Sequence, residues 1–536
     1  MTNTFVKGLD RQIWVQVPPS PNAHAAAMSM ASDLRNDSSR NPFIYTLHSN
    51  ALLNRYNIVT KAWQAVTTTP LTGGTFGAGS TSAFAPSFGA VGTIAAGATT
   101  TSVTLSTALP TAVGLNMLAN RGGSGEFGFK LRIIDTVAGK IEERMIVGNT
   151  AGTTPAITLE TAFTFTPATG ARYELLCGRL FMLGAGTTAA GIFRTFEPAS
   201  NTLANRGTTN LPATISADSA MLVMDELYVP HDHNPGEGMV KGATSYDTGL
   251  VALLATASGA STITGQATGG DAVVVANEYR NFQIRIVGDP TTPASVGQRR
   301  IIASHTAGPS AVYTLGAAWT TQPSSAARFV IEQPNLIVLR TSAVTTTYTY
   351  NYSDATINNG TNSIAADAWS TTYFGAGPAA NSAGCLWAPS FGIQPDPARY
   401  ARHSFNYFFR GGNVVTLDVL DIAGGTTGLW TGAITYDGNV NNFSTATTGC
   451  YSPFGQEGRY TYVNVYVASA VSQIYRFDAR NRVFSPYVPT DFLQAGTATL
   501  GGRMAAYAAL DGTDTYDVLL LQSHLATIAQ ELIPLV

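Results

Sequence analysis

At 536 residues the chain is longer than a single simple core supports, so two to four domains are expected, and 45% hydrophobic residues are ample to fill them. Charged residues make up 12%, about half the usual share of roughly 25%. The net charge of −3 argues against bulk electrostatic capture of nucleic acid or an anionic membrane, though not against a channel through which DNA passes. Few charges, 53 Gly, 26 Pro and abundant Thr, Val and Tyr point to an all-β chain. Cys177, Cys385 and Cys450 offer neither a disulfide framework nor a zinc spacing. The first ten residues lack the basic start and apolar run of a signal peptide, and no stretch approaches the ~18 apolar residues of a membrane span. The chain therefore reads as one made and folded in cytoplasm.

In chain order, residues 12–17 form a candidate strand and residues 23–34 the one fair helix candidate. An apolar strand opens at Phe43. Residues 53–63 then carry a pattern of aromatic, Asn, two free positions, Thr, two more and an aromatic (Tyr56, Asn57, Thr60, Trp63). It recurs without a gap at Phe477, Asp478, Asn481 and Phe484, more weakly at Phe196, Glu197, Ser200 and Leu203, and with extra turn residues from Leu420 and Asp421 to Trp430. An apolar strand ends at the first aromatic and Asp or Asn caps a tight turn through its side-chain oxygen. The returning strand drops the second aromatic on the same face. The pentapeptide Ala-Pro-Ser-Phe-Gly follows at 85–89 and again at 388–392, each after Phe-Gly-Ala-Gly, at 76–79 and 374–377.

A second repeat interrupts the first. Phe129 to Ile134 matches Phe282 to Val287, Arg144 to Gly152 matches Arg300 to Gly308, and Pro167 and Tyr173 fall opposite Pro323 and Phe329. Alternation in Phe129, Leu131 and Ile133, and in Phe282, Ile284 and Ile286, puts an apolar row on one strand face, so a duplicated small β-sandwich or barrel is expected. Apolar strand starts near Phe43, Gly178, Leu336, Ser404, Tyr460 and Tyr516 count about six units. The last is too short for four strands, and residues 12–17 are placed to complete it, removing free sheet edges.

The hairpin pattern resembles the kelch repeat, so the fold expected is an all-β, about six-bladed kelch-like β-propeller with two duplicated small β-domains inserted between blades. The division is 1–91 for the closing strand and first blade, 92–177 and 246–332 for the inserts, 178–245 for a blade and 333–536 for the remaining blades. Over the blade segments the chain resembles the tail nozzle proteins of short-tailed bacteriophages. That resemblance implies a structural virion protein made in the host cytoplasm and placed in the viral tail. It also implies a homo-oligomeric, hexameric ring at the distal end of the DNA-exit channel, tail adaptor and tail fibre proteins as partners, and transient passage of phage DNA during ejection. A phage or cell-surface glycan-binding adhesin and a propeller carbohydrate-active enzyme are the alternatives.

No catalytic, cofactor-binding or metal-binding residue is assigned, and no cofactor or membrane segment is expected. His231-Asp232-His233 would point its histidines to opposite sides of an extended segment, Asp511 to Asp514 reads as a hairpin turn, and no phosphate loop, nucleophile elbow or zinc-protease motif occurs. The chain is therefore not expected to be an enzyme. Cys385 and Cys450 read as small buried residues.

Overall fold

The computed structural model describes residues 12–22, 29–32, 42–48, 52–66, 76–77, 79–119, 128–185, 192–216, 219–226, 253–265, 276–308, 310–382, 384–389, 405–412, 416–435, 448–451, 460–468, 471–479, 482–489, 503–511, 514–522 and 529–534. Among them every regular element is a β-strand apart from one 3-10 turn, Pro293–Ser295.

Five four-stranded antiparallel sheets follow one another along the chain in a propeller-like arrangement. Their first strands are Met30–Ser32, Thr81–Ala85, Ala220–Met224, Leu386–Pro389 and Thr448–Tyr451. Their second strands are the apolar runs Phe43–His48, Arg179–Leu183, Leu336–Arg340, Phe405–Phe409 and Tyr460–Ala468. A further sheet is composite. Arg503–Asp511, Asp514–Gln522 and Ala529–Pro534 come from the C-terminal stretch, and the fourth strand is Gln12–Val17, antiparallel from Gln12 opposite Pro534 to Val17 opposite Ala529. The expected count of about six therefore does not hold for self-contained blades, of which there are five; the remaining sheet needs both ends of the described chain. The expected helix at 23–34 is also corrected. Met30–Ser32 is a strand paired with Ile44 to Thr46, because a helix there would leave the backbone edge of Phe43–His48 without partners. Residues 23–28 lie outside the described ones.

The repeated hairpin is the pairing of third and fourth strands. Tyr56 lies opposite Trp63, Phe196 opposite Leu203, Leu420 opposite Trp430 and Phe477 opposite Phe484. Ring centroids are 5.0 Å apart in Tyr56–Trp63 and 4.9 Å in Phe477–Phe484. Asn57 Oδ1 accepts the N–H groups of Val59 and Thr60 at 2.8 and 3.1 Å. Lys61, Asn201 and Arg482, at the same place in three copies, take φ of 56°, 52° and 55°, left-handed values that only a tight turn imposes on residues with a Cβ. Phe484 is buried. Trp63 is only half-buried, its indole N–H reaching out to the Pro18 carbonyl at 2.8 Å.

Sheets stack through aromatic layers, Tyr45 against Phe84, Phe193 against Tyr350 and Phe409 against Phe477. Between the composite sheet and the first, Ala505, Tyr507, Val518 and Leu520 pack on Met30, Ile44 and Tyr56. At this seam the buried Glu531 carboxylate accepts hydrogen bonds from Tyr56 (2.8 Å) and Tyr507 (2.7 Å) and pairs with Lys61 (3.0 Å). Burial and the Glu531 charge push the Tyr56 phenol well above its ordinary value.

The inserts share one strand order. In the first, Val91–Thr93, Arg172–Leu176, Lys130–Asp135, Lys140–Asn149, Ala156–Leu159 and Ser102–Thr104 pair in that sequence. In the second the order is Leu253–Gly259, Arg328–Glu332, Gln283–Gly288, Arg299–His305, Val312–Leu315 and Thr262–Gly265. The ends of the second series also pair, closing a barrel, and Ile94–Leu105 bridges the same gap in the first. Side chains agree in detail. Arg144 Nε donates to the Ala162 carbonyl and stands 5.4 Å from the Phe163 ring, while Arg300 Nε donates to the Ala318 carbonyl, 5.6 Å from Trp319.

Their location departs from expectation. Each insert lies inside a sheet, between its first and second strands, rather than between blades: Thr81–Ala85 pairs with Arg179–Leu183, and Ala220–Met224 with Leu336–Arg340. The reason lies in the pentapeptide. Thr81–Ala85 and Leu386–Pro389 end in its first residues, so it marks the first strand of the next sheet, already begun when the insert starts. Residues 81–85 and 220–224 accordingly leave the 1–91 and 178–245 divisions for the second and third sheets.

Three substitutions test this account by urea denaturation. Phe484→Ala should cost about 3–5 kcal/mol, as for a buried aromatic, and the half-buried Trp63→Ala clearly less. Tyr56→Phe, which strips one hydrogen bond from a buried carboxylate, should cost about 1.5–3 kcal/mol. Deleting residues 1–20 should abolish folding; a deletion that melts like the full chain would contradict closure by the N-terminal strand.

Candidate functional site: the junction and cleft between the inserts

Two features qualify for attention. The first is a passage of about 120 Å³ where the first strands converge, lined by small residues such as Ser29, Ser80, Ser219 and Ala505 and by Cys385 and Cys450. These two cysteines are half-buried rather than buried, because first strands face the passage as well as the neighbouring sheet.

The second feature is the meeting of the two inserts. The apolar rows foreseen in the sequence, Phe129, Leu131 and Ile133 and their counterparts, face the interior of each insert and are buried. Strand alternation sends Arg132 and Arg285 to the opposite face. There Lys140 pairs with Gly288 across the inserts, and the Asp289 N–H donates to the Gly139 carbonyl at 3.0 Å. Gly139, at φ 65°, is required for that approach, since a Cβ would sit 2.4 Å from the Asp289 oxygen.

Between the two polar faces lies a buried network. Arg132, fully buried, donates to Glu143 at 2.7 Å, to Glu174 at 2.8 Å and to Glu226. Arg299 of the second insert reaches Glu226 at 3.0 Å and Glu174 at 3.3 Å. Behind it Arg285 grips Glu332 with two donors, at 3.0 and 2.9 Å, and Gln283 adds a third at 2.8 Å. Glu226 belongs to neither insert: it follows the apolar strand Ala220–Met224 and so roots the network in the propeller. Its neighbour Asp225 accepts from the Ser87 N–H and hydroxyl and from the Tyr352 hydroxyl, which gives the repeated Ala-Pro-Ser-Phe-Gly segment a second task in its first copy.

Burial opposes every charge here, yet the arginines win for two carboxylates. Arg299, Arg132 and Arg172 hold Glu174 well below the ordinary range, and Arg132 with Arg299 brings Glu226 down to about 2. Glu332 goes the other way, pushed up by burial with Arg285 only partly offsetting it.

Above the network opens a cleft of about 670 Å³. Its walls come from the first insert (Ile134, Arg172), the second (Gln298, Arg299, Arg300) and the propeller segment 353–358. Arg172 and Asp354 form an ion pair across it, each substantially exposed.

Histidines 231 and 233 lie outside the described residues. Asp511 faces Asp514 at the end of a hairpin, as read from the sequence. Among the described residues no group of three or more His, Cys, Asp or Glu could hold a metal ion, and no helix is long and apolar enough to cross a membrane. The junction is not legible in the sequence, because its acidic residues lie far apart along the chain; the one signal is an arginine, Arg132 or Arg285, that both copies carry in the polar phase of the apolar row.

No family model and no curated protein matches the chain. Among solved structures the chain is similar to Saccharomyces cerevisiae Sqt1 (7% identity, TM-score 0.30, 97% of this chain and 100% of that one) and to the computationally designed Ika8 protein (9%, 0.29, 97% and 100%). The tricorn protease is more distant (7%, 0.17, 95% and 46%). At these scores the likeness carries no argument about this chain.

Removing one member of the buried network should be costly. Glu226→Ala leaves Arg132 and Arg299 short of a carboxylate and should lose about 3–5 kcal/mol, whereas Arg206→Ala, which breaks a pair with the half-exposed Asp367, should lose under about 1 kcal/mol. The pH dependence follows. Glu226 is depressed from 4.5 to about 2, so its contribution is complete above pH 4.5 and disappears as pH falls toward 2. Glu332, raised, contributes with the opposite sign. Melting temperatures followed from pH 7 to pH 2 should drop steeply below 4.5 in the native chain and less steeply in Glu226→Gln.

Proposed function

We propose that the protein is a structural component of a tailed bacteriophage virion, the tail nozzle at the distal end of the DNA-exit channel. In this reading the five self-contained sheets and the composite one act as six blades of a single ring, sealed where Gln12–Val17 joins the C-terminal strands. The observation that carries it is the way the molecule is tied into one rigid block: the composite sheet joins distant parts of the chain, and the inserts are bolted to each other and to the propeller through Glu226. A part that transmits force and lines a conduit needs such rigidity and no catalytic centre. Kelch-like hairpins and low charge agree with it. Six blocks assemble head to tail around the conduit, one side of each subunit meeting the unlike side of the next, and cyclic symmetry closes the ring. The inserts supply surfaces for neighbours, adaptor or fibres.

The glycan-binding alternative has one observation in its favour, the polar cleft between the inserts.

Light scattering on the purified chain and mass spectrometry of virions test the proposal together. A hexameric ring that is also a virion component is the expected result. A stable monomer at micromolar concentration, absent from virions, would overturn it.

A further inference from the structure

The cleft between the inserts has a chemistry of its own. Its floor is apolar, made by the buried side chains of Ile134, Val296, Ile301 and Ile357. Its rim is rich in neutral hydrogen-bonding groups, among them Thr136, Thr320, Thr356 and Asn358. Three guanidinium groups line it, those of Arg172, Arg299 and Arg300, against one carboxylate, Asp354, among the described lining residues.

The three cations are not equivalent. Arg299 is committed to the buried Glu226 and Glu174. Arg300 spends its donors on neutral acceptors, the carbonyls of Ala318 and Arg299 and the Thr320 hydroxyl, so its charge is left without a carboxylate there. Arg172 keeps Glu174 at 3.2 Å through Nε but uses Nη2 for Asp354, a residue of the propeller segment 353–358. Both members of that pair are about two-fifths exposed. Exposed pairs of this kind are worth about 0–1 kcal/mol, so an incoming anion can displace Asp354 at small cost.

We propose that this cleft is a binding site for a small acidic sugar. The anionic group takes the place of the Asp354 carboxylate on Arg172, with the Arg300 charge nearby. Ring hydroxyls meet the Thr and Asn rim, and the C–H face of the ring lies on the apolar floor. A volume of about 670 Å³ falls within the roughly 300–1,000 Å³ range of small-ligand pockets. The anion can be a sugar carboxylate or a sugar phosphate, which share this chemistry. The site does not depend on the ring assembly: its described walls come from one chain, and its test is read on binding rather than on oligomeric state.

The test is titration calorimetry on the purified full chain with methyl glucuronide, glucose 6-phosphate, inorganic phosphate and neutral methyl glucoside. At least one of the two acidic sugars should bind saturably, and whichever binds identifies the anion; the glucoside should bind roughly tenfold more weakly or not at all. Arg172→Gln should weaken the acidic sugar by roughly tenfold or more, a loss of the charge-assisted contact, while Asp354→Ala, which removes the competing carboxylate, should tighten it. Both substitutions are at exposed positions, and melting temperatures close to the native value check that the fold is intact. The proposal fails if neither acidic sugar gives saturable heat, if the glucoside binds as well as the acids, if inorganic phosphate matches glucose 6-phosphate, or if Arg172→Gln binds unchanged.

Discussion

The architecture turns on the pairing of Arg132 and Arg299 with Glu174 and Glu226. Each insert buries its apolar row inside itself, so apart from the patch where Ile134 and Ile141 pack on the second insert's apolar cluster their mutual contact is made by the polar faces of their sheets. Moving those faces out of water strands charges, and the loss is tolerable only where every charge meets its opposite with good geometry. Glu226 makes the arrangement a three-body contact, for it anchors a carboxylate supplied by the propeller between one arginine from each insert. Such a network contributes little net stability compared with an apolar contact, but it tolerates only one orientation, since any slip leaves a charge buried and unpaired. Orientation is what a duplicated module needs when its two copies must face each other rather than tumble on flexible stalks.

The propeller solves a different problem, that of sheet edges. The self-contained sheets pack face to face, the second on the third and the fourth on the fifth through rings whose centroids lie about 5 Å apart, and the composite sheet packs against the first and the fifth. Its last strand comes from the opposite end of the chain, so closure is a long-range contact that a local hairpin cannot replace. Glu531 is the polar counterpart of the apolar seam. Three donors from separate elements converge on it, and a buried carboxylate so satisfied again favours one register over its neighbours.

Local rules made a good part of this legible from sequence. The hairpin motif encodes its own geometry: Asn57 caps the turn, the residue four positions on adopts the left-handed conformation in three copies, and the two aromatics end up opposite each other. The duplication of the inserts was equally readable, down to the equivalence of Arg144 and Arg300, whose matching carbonyl partners the structure adds. What failed was placement along the chain. The Ala-Pro-Ser-Phe-Gly segment looked like a tail of the preceding hairpin, whereas it ends the first strand of the next sheet, and nothing local distinguishes the two roles. The helix expected at 23–34 failed for the same reason: Met30–Ser32 is a strand because Phe43–His48 requires a partner, a demand that arises only in three dimensions.

The candidate site was the least legible part, and the cause is physical. A motif search looks for reactive groups close in sequence, but the junction gathers Glu143, Glu174, Glu226 and Glu332 from four separate strands or strand ends. The arginines that neutralise them share the motif that builds each insert, so Arg132 and Arg285 read as part of a folding signature. The duplicated copies then diverged where they meet: Glu143 in the first corresponds to Arg299 in the second, one position before the equivalent Arg144 and Arg300. That exchange of sign gives the second insert a cation that reaches Glu174 of the first and Glu226 of the propeller, contacts a glutamate at that position could not make. Arg299 is taken up by that junction, so the chemistry of the cleft beside it rests on Arg172 and Arg300, which the pairing of the inserts leaves on its walls.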